Sequence, residues 1–65
     1  MIEKYMDNIK EMLDDEKFQN ISSKEDLFQA GLIGAMKQEE KTPNNDNDIL
    51  TAAFTEMLKY AESLS

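Results

Sequence analysis

The sequence predicts an all-α fold, a small three-helix unit packed as a helical bundle. Apolar residues recur at spacings of three and four in three stretches, which is the period of one helix face. A polar loop around Pro43 separates the last two stretches, and no stretch alternates as a strand does. We therefore expect helices near residues 2–16, 22–41 and 47–64, within a single domain over 1–65.

The first helix is predicted from one apolar face and one acidic face. The apolar set is Ile2, Tyr5, Met6, Ile9, Met12 and Leu13. The acidic stripe, a candidate surface for a basic partner, is Glu3, Asp7, Glu11 and Asp14. Glu16 projects onto the apolar face, so the helix is expected to end near residues 15–17. Phe18 and Ile21 are then expected to fold back over the core.

The second helix contains the longest apolar run, residues 27–36. At about 100° per residue, one side holds Phe28, Leu32, Ala35 and Met36. Leu27 and Ile33 lie well away from that side, so the helix needs neighbours on more than one side. Gly31 and Gly34 each cost about 0.5–1 kcal/mol in a helix interior, and such small residues let another helix come close.

Polar residues mark the helix ends. Ser22 with Glu25 has the spacing of a capping box before the second helix, and Ser23 with Asp26 is an alternative cap. Pro43 ends that helix, because the residue before a proline avoids the helical region. The cap of the third helix is expected at Asp46, Asn47 or Asp48.

The third helix carries a wide apolar stripe. Its members are Leu50, Ala53, Phe54, Met57, Leu58, Ala61 and Leu64, widened by Ile49 and Tyr60. A chain of this size without Cys or His has few means of support beyond packing, so we expect a homo-oligomer, most simply a two-fold dimer. The candidate helix-contact or oligomer-interface residues are Leu27, Phe28, Gly31, Leu32, Gly34, Ala35, Met36, Ile49 and Tyr60.

The residue inventory argues against an enzyme. It has no His for acid–base chemistry, no Cys nucleophile and no glycine-rich phosphate loop, so we expect no catalytic residue and no cofactor. Asn44, Asp46 and Asp48 alternate as the first ligands of a calcium loop do. Ile49 stands where that loop needs Gly and Thr55 where it needs Glu, so we expect no metal site.

The net charge limits the classes of partner that the chain can bind. Fourteen acidic residues against seven lysines give a net charge of −7, which disfavours direct binding to nucleic acid or anionic membranes. No signal peptide or spanning segment is apparent, so we expect a cytoplasmic protein. The absence of Arg with frequent Lys, Asn, Ile and Glu is typical of an AT-rich genome, such as that of a low-GC bacterium or a phage.

Residues 26–36, preceded by an amphipathic helix and a Ser/Asp-bearing loop, resemble the N-terminal half of acyl and peptidyl carrier proteins. That family carries phosphopantetheine on the Ser of an Asp-Ser pair. Gly34 and Ala35 occupy those positions here and cannot be modified. The resemblance therefore implies, at most, a carrier-like domain that lacks its attachment serine.

The leading hypothesis is a protein-binding module, an inhibitor or adaptor that covers a partner's surface. In one version the acidic stripe engages a basic site; in the other, the charge only maintains solubility. The alternative is a structural subunit whose function lies in its self-assembly.

Overall fold

A computed structural model describes residues 3–64, and this range contains three α-helices, a short 3₁₀ turn and no strand. The helices are α1 (Glu3–Met12), α2 (Lys24–Lys41) and α3 (Asp46–Ser63), and the 3₁₀ turn is Glu16–Phe18. The all-α prediction is confirmed, and Pro43 lies in a turn outside the helices, as expected. Ile2, predicted to open the first helix, lies outside the described residues.

Helix α1 ends at Met12, earlier than predicted. Asp15 accepts a hydrogen bond from the Lys17 amide at 2.9 Å and so caps the 3₁₀ turn, which draws the chain out of α1. Carboxylates at Asp14 and Asp15 also disfavour continuation, because the C-terminal end of a helix carries partial negative charge. The prediction for Phe18 is confirmed, since its side chain is fully buried.

Both later helices begin with a side-chain cap. Ser23 accepts from the Asp26 amide at 3.4 Å, so the alternative cap of α2 is the one that forms. Asn45 caps α3 by accepting from the Asp48 amide at 3.0 Å. The prediction of a cap at Asp46, Asn47 or Asp48 was wrong by one residue or more, because Asn45 has the non-helical backbone that a cap requires.

Helices α2 and α3 form an antiparallel hairpin, and α1 packs against both. Tyr60, near the end of α3, donates a hydrogen bond to Asp26, near the start of α2. The ring of Phe18 packs on that of Phe54 with centroids 5.4 Å apart, and Lys24 donates to the Phe18 carbonyl. The buried apolar core consists of Tyr5, Ile9, Phe18, Leu27, Ala35, Ile49, Ala53 and Met57.

The buried residues of α2 are Leu27, Gly31, Gly34 and Ala35, and all four are among the predicted contact residues. Phe28 and Leu32 are only half-buried, and Met36 is 54% exposed. The reason is that α1 and α3 approach α2 most closely at its glycines, so the small residues define the contact.

Candidate interaction surface

One side of the α2–α3 hairpin is covered by α1, and the other side is open. A methyl group built on Gly31 would lie 2.9 Å from the Ile9 side chain of α1. One built on Gly34 would instead lie 2.7 Å from the backbone oxygen of Ala52 in α3. On the Gly34 side a shallow groove follows the two helices, and no described residue of α1 or the 3₁₀ turn lines it.

We call this surface the open face. It comprises Ala30, Ile33, Gly34, Lys37 and Lys41 of α2 with Ala52, Glu56, Lys59 and Tyr60 of α3. Two adjoining depressions of about 230 and 270 Å³ make up the groove. They share Lys37, Glu56 and Lys59, so the groove is a continuous, shallow channel along the two helices.

The open face is positively charged although the chain is acidic. It carries three of the seven lysines, Lys37, Lys41 and Lys59, against one carboxylate, Glu56. Within residues 3–64 none of these lysines forms an ion pair.

Large apolar side chains lie beside these lysines. Ile33 is 51% exposed and lines the groove, and Met36, 54% exposed, lies on the adjacent flank with Glu40. Burial, followed by the neighbouring Asp26 carboxylate, raises the pKa of Tyr60 above its ordinary value of 10.0. The face thus combines apolar contact area with charge at its edges.

The acidic stripe lies elsewhere. Glu3, Asp7 and Glu11 are exposed along α1, and none forms an ion pair with a lysine in the described part of the chain. Asp14 is exposed too, but it lies in the turn after α1 because the helix ends at Met12. The stripe is therefore one residue shorter along the helix than predicted.

The predicted contact residues divide into two groups. Five are buried within the chain and offer little or no surface to a second copy: Leu27, Gly31, Gly34, Ala35 and Ile49. Phe28, Leu32 and Tyr60 are half-buried, and Met36 is exposed. The pairing edge predicted at Ile49 and Tyr60 needs correction, because Ile49 is fully buried between the helices.

Seven of the nine open-face residues were not among the predicted contact residues: Ala30, Ile33, Lys37, Lys41, Ala52, Glu56 and Lys59. Lys37 and Lys41 are one helical turn apart, a signal visible in the sequence. Lys59 joins them only through the antiparallel register of α2 and α3.

The loop weighed as a calcium site forms a structural contact instead. Asp46 and Asp48 lie in the first turn of α3. The Tyr5 hydroxyl donates to Asp46 Oδ1 at 2.6 Å, and Lys4 Nζ lies 3.3 Å from the same oxygen. Across residues 3–64, no three acidic side chains come together as a metal site would require.

This contact predicts an acid-sensitive link between α1 and α3. The hydrogen bond from Tyr5, followed by the interaction with Lys4, holds the pKa of Asp46 below its ordinary value of 3.8. A carboxylate whose pKa is lowered by folding stabilises the fold at pH values above its ordinary pKa. This contribution is lost as the pH falls through the lowered pKa.

We expect Asp46→Asn to lower the melting temperature at pH 7. Below about pH 4, the melting temperature of this variant should change less with pH than that of the parent chain. The matched control is Asp48→Asn, which removes another exposed carboxylate from the same helical turn. Thermal melts followed by circular dichroism provide the comparison. Identical pH profiles for the two variants would show that the Tyr5 contact contributes nothing.

The comparisons with known proteins give no relative from which to argue: no family model matches the chain, and no curated protein or solved structure is significantly similar to it. Between residues 3 and 64, no helix combines the length and the apolar character needed to cross a membrane. The positions that the carrier-protein resemblance assigns to the Asp-Ser pair, Gly34 and Ala35, are both buried in α2.

Proposed function

We propose that the chain is a small protein-binding module that covers a partner's surface with its open face. The observation that carries this proposal is the exposure of Ile33 and Met36 beside a groove that α1, within residues 3–64, leaves uncovered. Apolar contacts surrounded by charged groups are the usual anatomy of a protein–protein interface. An adaptor or an inhibitor needs only such a surface, and we propose no catalytic role.

The test is affinity capture from the source cell with three versions of the chain as bait. Ile33→Glu/Met36→Glu places two charges on the proposed interface. Leu64→Glu is the matched control, because Leu64 is also a large, exposed apolar residue, 56% exposed, but lies at the end of α3. Circular dichroism establishes that all three baits fold.

We expect the parent chain and the Leu64→Glu variant to retain the same partner and the double variant to lose it. The apolar contacts of an interface contribute most to the binding free energy where they are fully desolvated. A carboxylate that is buried there without a partner loses its hydration and so weakens binding. A partner retained equally by all three baits would contradict the proposal.

Self-assembly is the second candidate, and one observation favours it. The outer side of α2 carries Lys37 and Glu40 beside Ile33 and Met36, so its charges are of both signs. Such a surface can pair with itself about a two-fold axis. A need to cover Leu27 no longer supports a dimer, because Leu27 is fully buried within one chain.

Sedimentation over a range of concentrations tests the dimer. In this alternative the parent chain sediments at twice the 7.5 kDa of one chain, and Ile33→Glu/Met36→Glu sediments as the monomer. A folded parent chain at 7.5 kDa throughout would exclude a dimer at those concentrations. The cytoplasmic location stays a prediction in either case.

A further inference from the structure

We propose that the partner segment bound by the open face is an amphipathic helix with carboxylates along both edges of its apolar side. This inference rests on the proposed function and adds the chemistry of the partner. It follows from the shape of the groove, from the position of its lysines, and from the poor fit of other occupants.

The shape of the groove suits a helix. Helices α2 and α3 have 18 residues each, and they lie antiparallel. At a rise of 1.5 Å per residue, each runs for about 27 Å. Gly34 is buried against Ala52 and Glu56 of α3, so α2 and α3 pack closely along the groove. A third helix would lie across both of them, at the roughly 8–10 Å typical of packed helices. Helix α1 already packs across the same hairpin on its other side.

The lysines flank this groove from both helices. Lys37 and Lys41 follow one another by one turn on α2, and Lys59 belongs to α3. A helix that places its apolar side towards Ile33 and Tyr60 would therefore have two ammonium groups at its α2 edge. At its α3 edge it would have Lys59, with the Glu56 carboxylate one turn away. Carboxylates at those edges complement the charge, whereas lysines or arginines there would meet like charge.

Other occupants fit less well. A nucleic acid would gain three lysine contacts and no arginine contact from the groove, while the net charge of −7 repels phosphate. The acidic helix of a second copy, α1, has its apolar residues Tyr5 and Ile9 buried in its own core. It could offer carboxylates but no apolar side.

Two synthetic helical peptides test the inference. Each has 18 residues, the length of α3, with leucines on one side; the acidic probe has glutamates along both edges, and the basic probe has lysines there. Titration into ¹⁵N-labelled protein measures the affinity and shows which amides respond.

The test also needs a charge-reversed face and a matched control. Lys37→Glu/Lys41→Glu reverses two charges on the open face. Lys10→Glu/Lys17→Glu makes the same change in net charge at two exposed lysines of α1 and the 3₁₀ turn.

We expect the acidic probe to bind the parent chain at least about tenfold more tightly than the basic probe. The amides that shift should include those of Gly34, Lys37 and Lys59. The open-face variant should reverse the preference between the probes, and the control variant should keep it.

A basic probe that binds as tightly as the acidic one, shifts confined to α1, or equal effects of the two double variants would overturn the inference, as would no binding of either probe. The proposed function fails on a different result. It falls if capture of the natural partner is unaffected by Ile33→Glu/Met36→Glu, whatever the peptides do, so the two failures are distinguishable.

Discussion

Phe18→Ala is expected to lower the free energy of unfolding by about 3–5 kcal/mol, a large share of the chain's stability. Phe18 is fully buried and packs on Phe54, although it belongs to a 3₁₀ turn rather than to one of the helices. Removing a buried phenylalanine side chain costs about 3–5 kcal/mol. Domains have roughly 0.05–0.15 kcal/mol of stability per residue, which for a chain of this length amounts to about 3–10 kcal/mol in total.

Thermal and urea unfolding followed by circular dichroism measure the effect. Leu64→Ala is the control, because it truncates a large apolar side chain that is 56% exposed at the end of α3. We expect the control to stay within about 0.5 kcal/mol of the parent, as surface substitutions usually do. A Phe18→Ala chain that melts as the control does would show that the 3₁₀ turn does not cover the core.

Gly34 is the position where added bulk should do the most damage to the helix hairpin. A methyl group there would lie 2.7 Å from the Ala52 backbone oxygen and 2.6 Å from a side-chain carbon of Glu56. The oxygen cannot move unless α3 moves. Gly34→Leu should therefore destabilise the fold by at least the roughly 1–3 kcal/mol typical of overpacking.

Gly31 provides a sharp comparison through the alanine variants. A methyl group on Gly31 would meet side-chain atoms of Ile9 and Met57 at 2.9 Å and no backbone atom of a neighbouring helix. Both side chains are fully buried, so the core must adjust, but α3 need not move as a whole. Alanine in a helix interior also gains about 0.5–1 kcal/mol over glycine. We expect Gly31→Ala to be less destabilising than Gly34→Ala.

Urea unfolding of the four variants, Leu and Ala at each glycine, separates the two contacts. The expected order places Gly34→Ala clearly below Gly31→Ala, with both leucine variants below the alanine ones. If Gly34→Ala were as stable as Gly31→Ala, the close approach of α2 and α3 at Ala52 would be contradicted.

The sequence predicted the three helices because each contains an apolar stripe at helical spacing. It also predicted the burial of Phe18, since Glu16 and Phe18 break the pattern of the first helix. The end of α1 was missed because the capping of the 3₁₀ turn by Asp15 competes locally with helix continuation. The spacing of apolar residues gives no information about that competition.

The contact residues of α2 could be predicted only in part. The sequence indicated Gly31 and Gly34 as places where another helix can come close, because small residues in an apolar run leave that room. In the structure both glycines are buried against neighbouring helices. Which helix lies against each glycine depends on tertiary packing, and the sequence of α2 does not contain that information.

The open face could not be predicted from the sequence for a related reason. Lys37 and Lys59 are far apart in the chain, and only the antiparallel pairing of α2 with α3 places them on one groove. The acidic stripe was easier to see because Glu3, Asp7 and Glu11 share one helix. Local periodicity thus identifies a charged surface on one helix but not one shared between two.

The central claim is that the open face is where a partner binds, and site-specific photo-crosslinking in the source cell tests it most directly. A photoreactive amino acid replaces Ile33 on the open face or, in the control, the exposed Asn8 on α1. Position 33 should yield a discrete crosslinked product of higher mass after irradiation, and position 8 should not. A product from position 8 with none from position 33 would place the binding surface on α1 and contradict the claim.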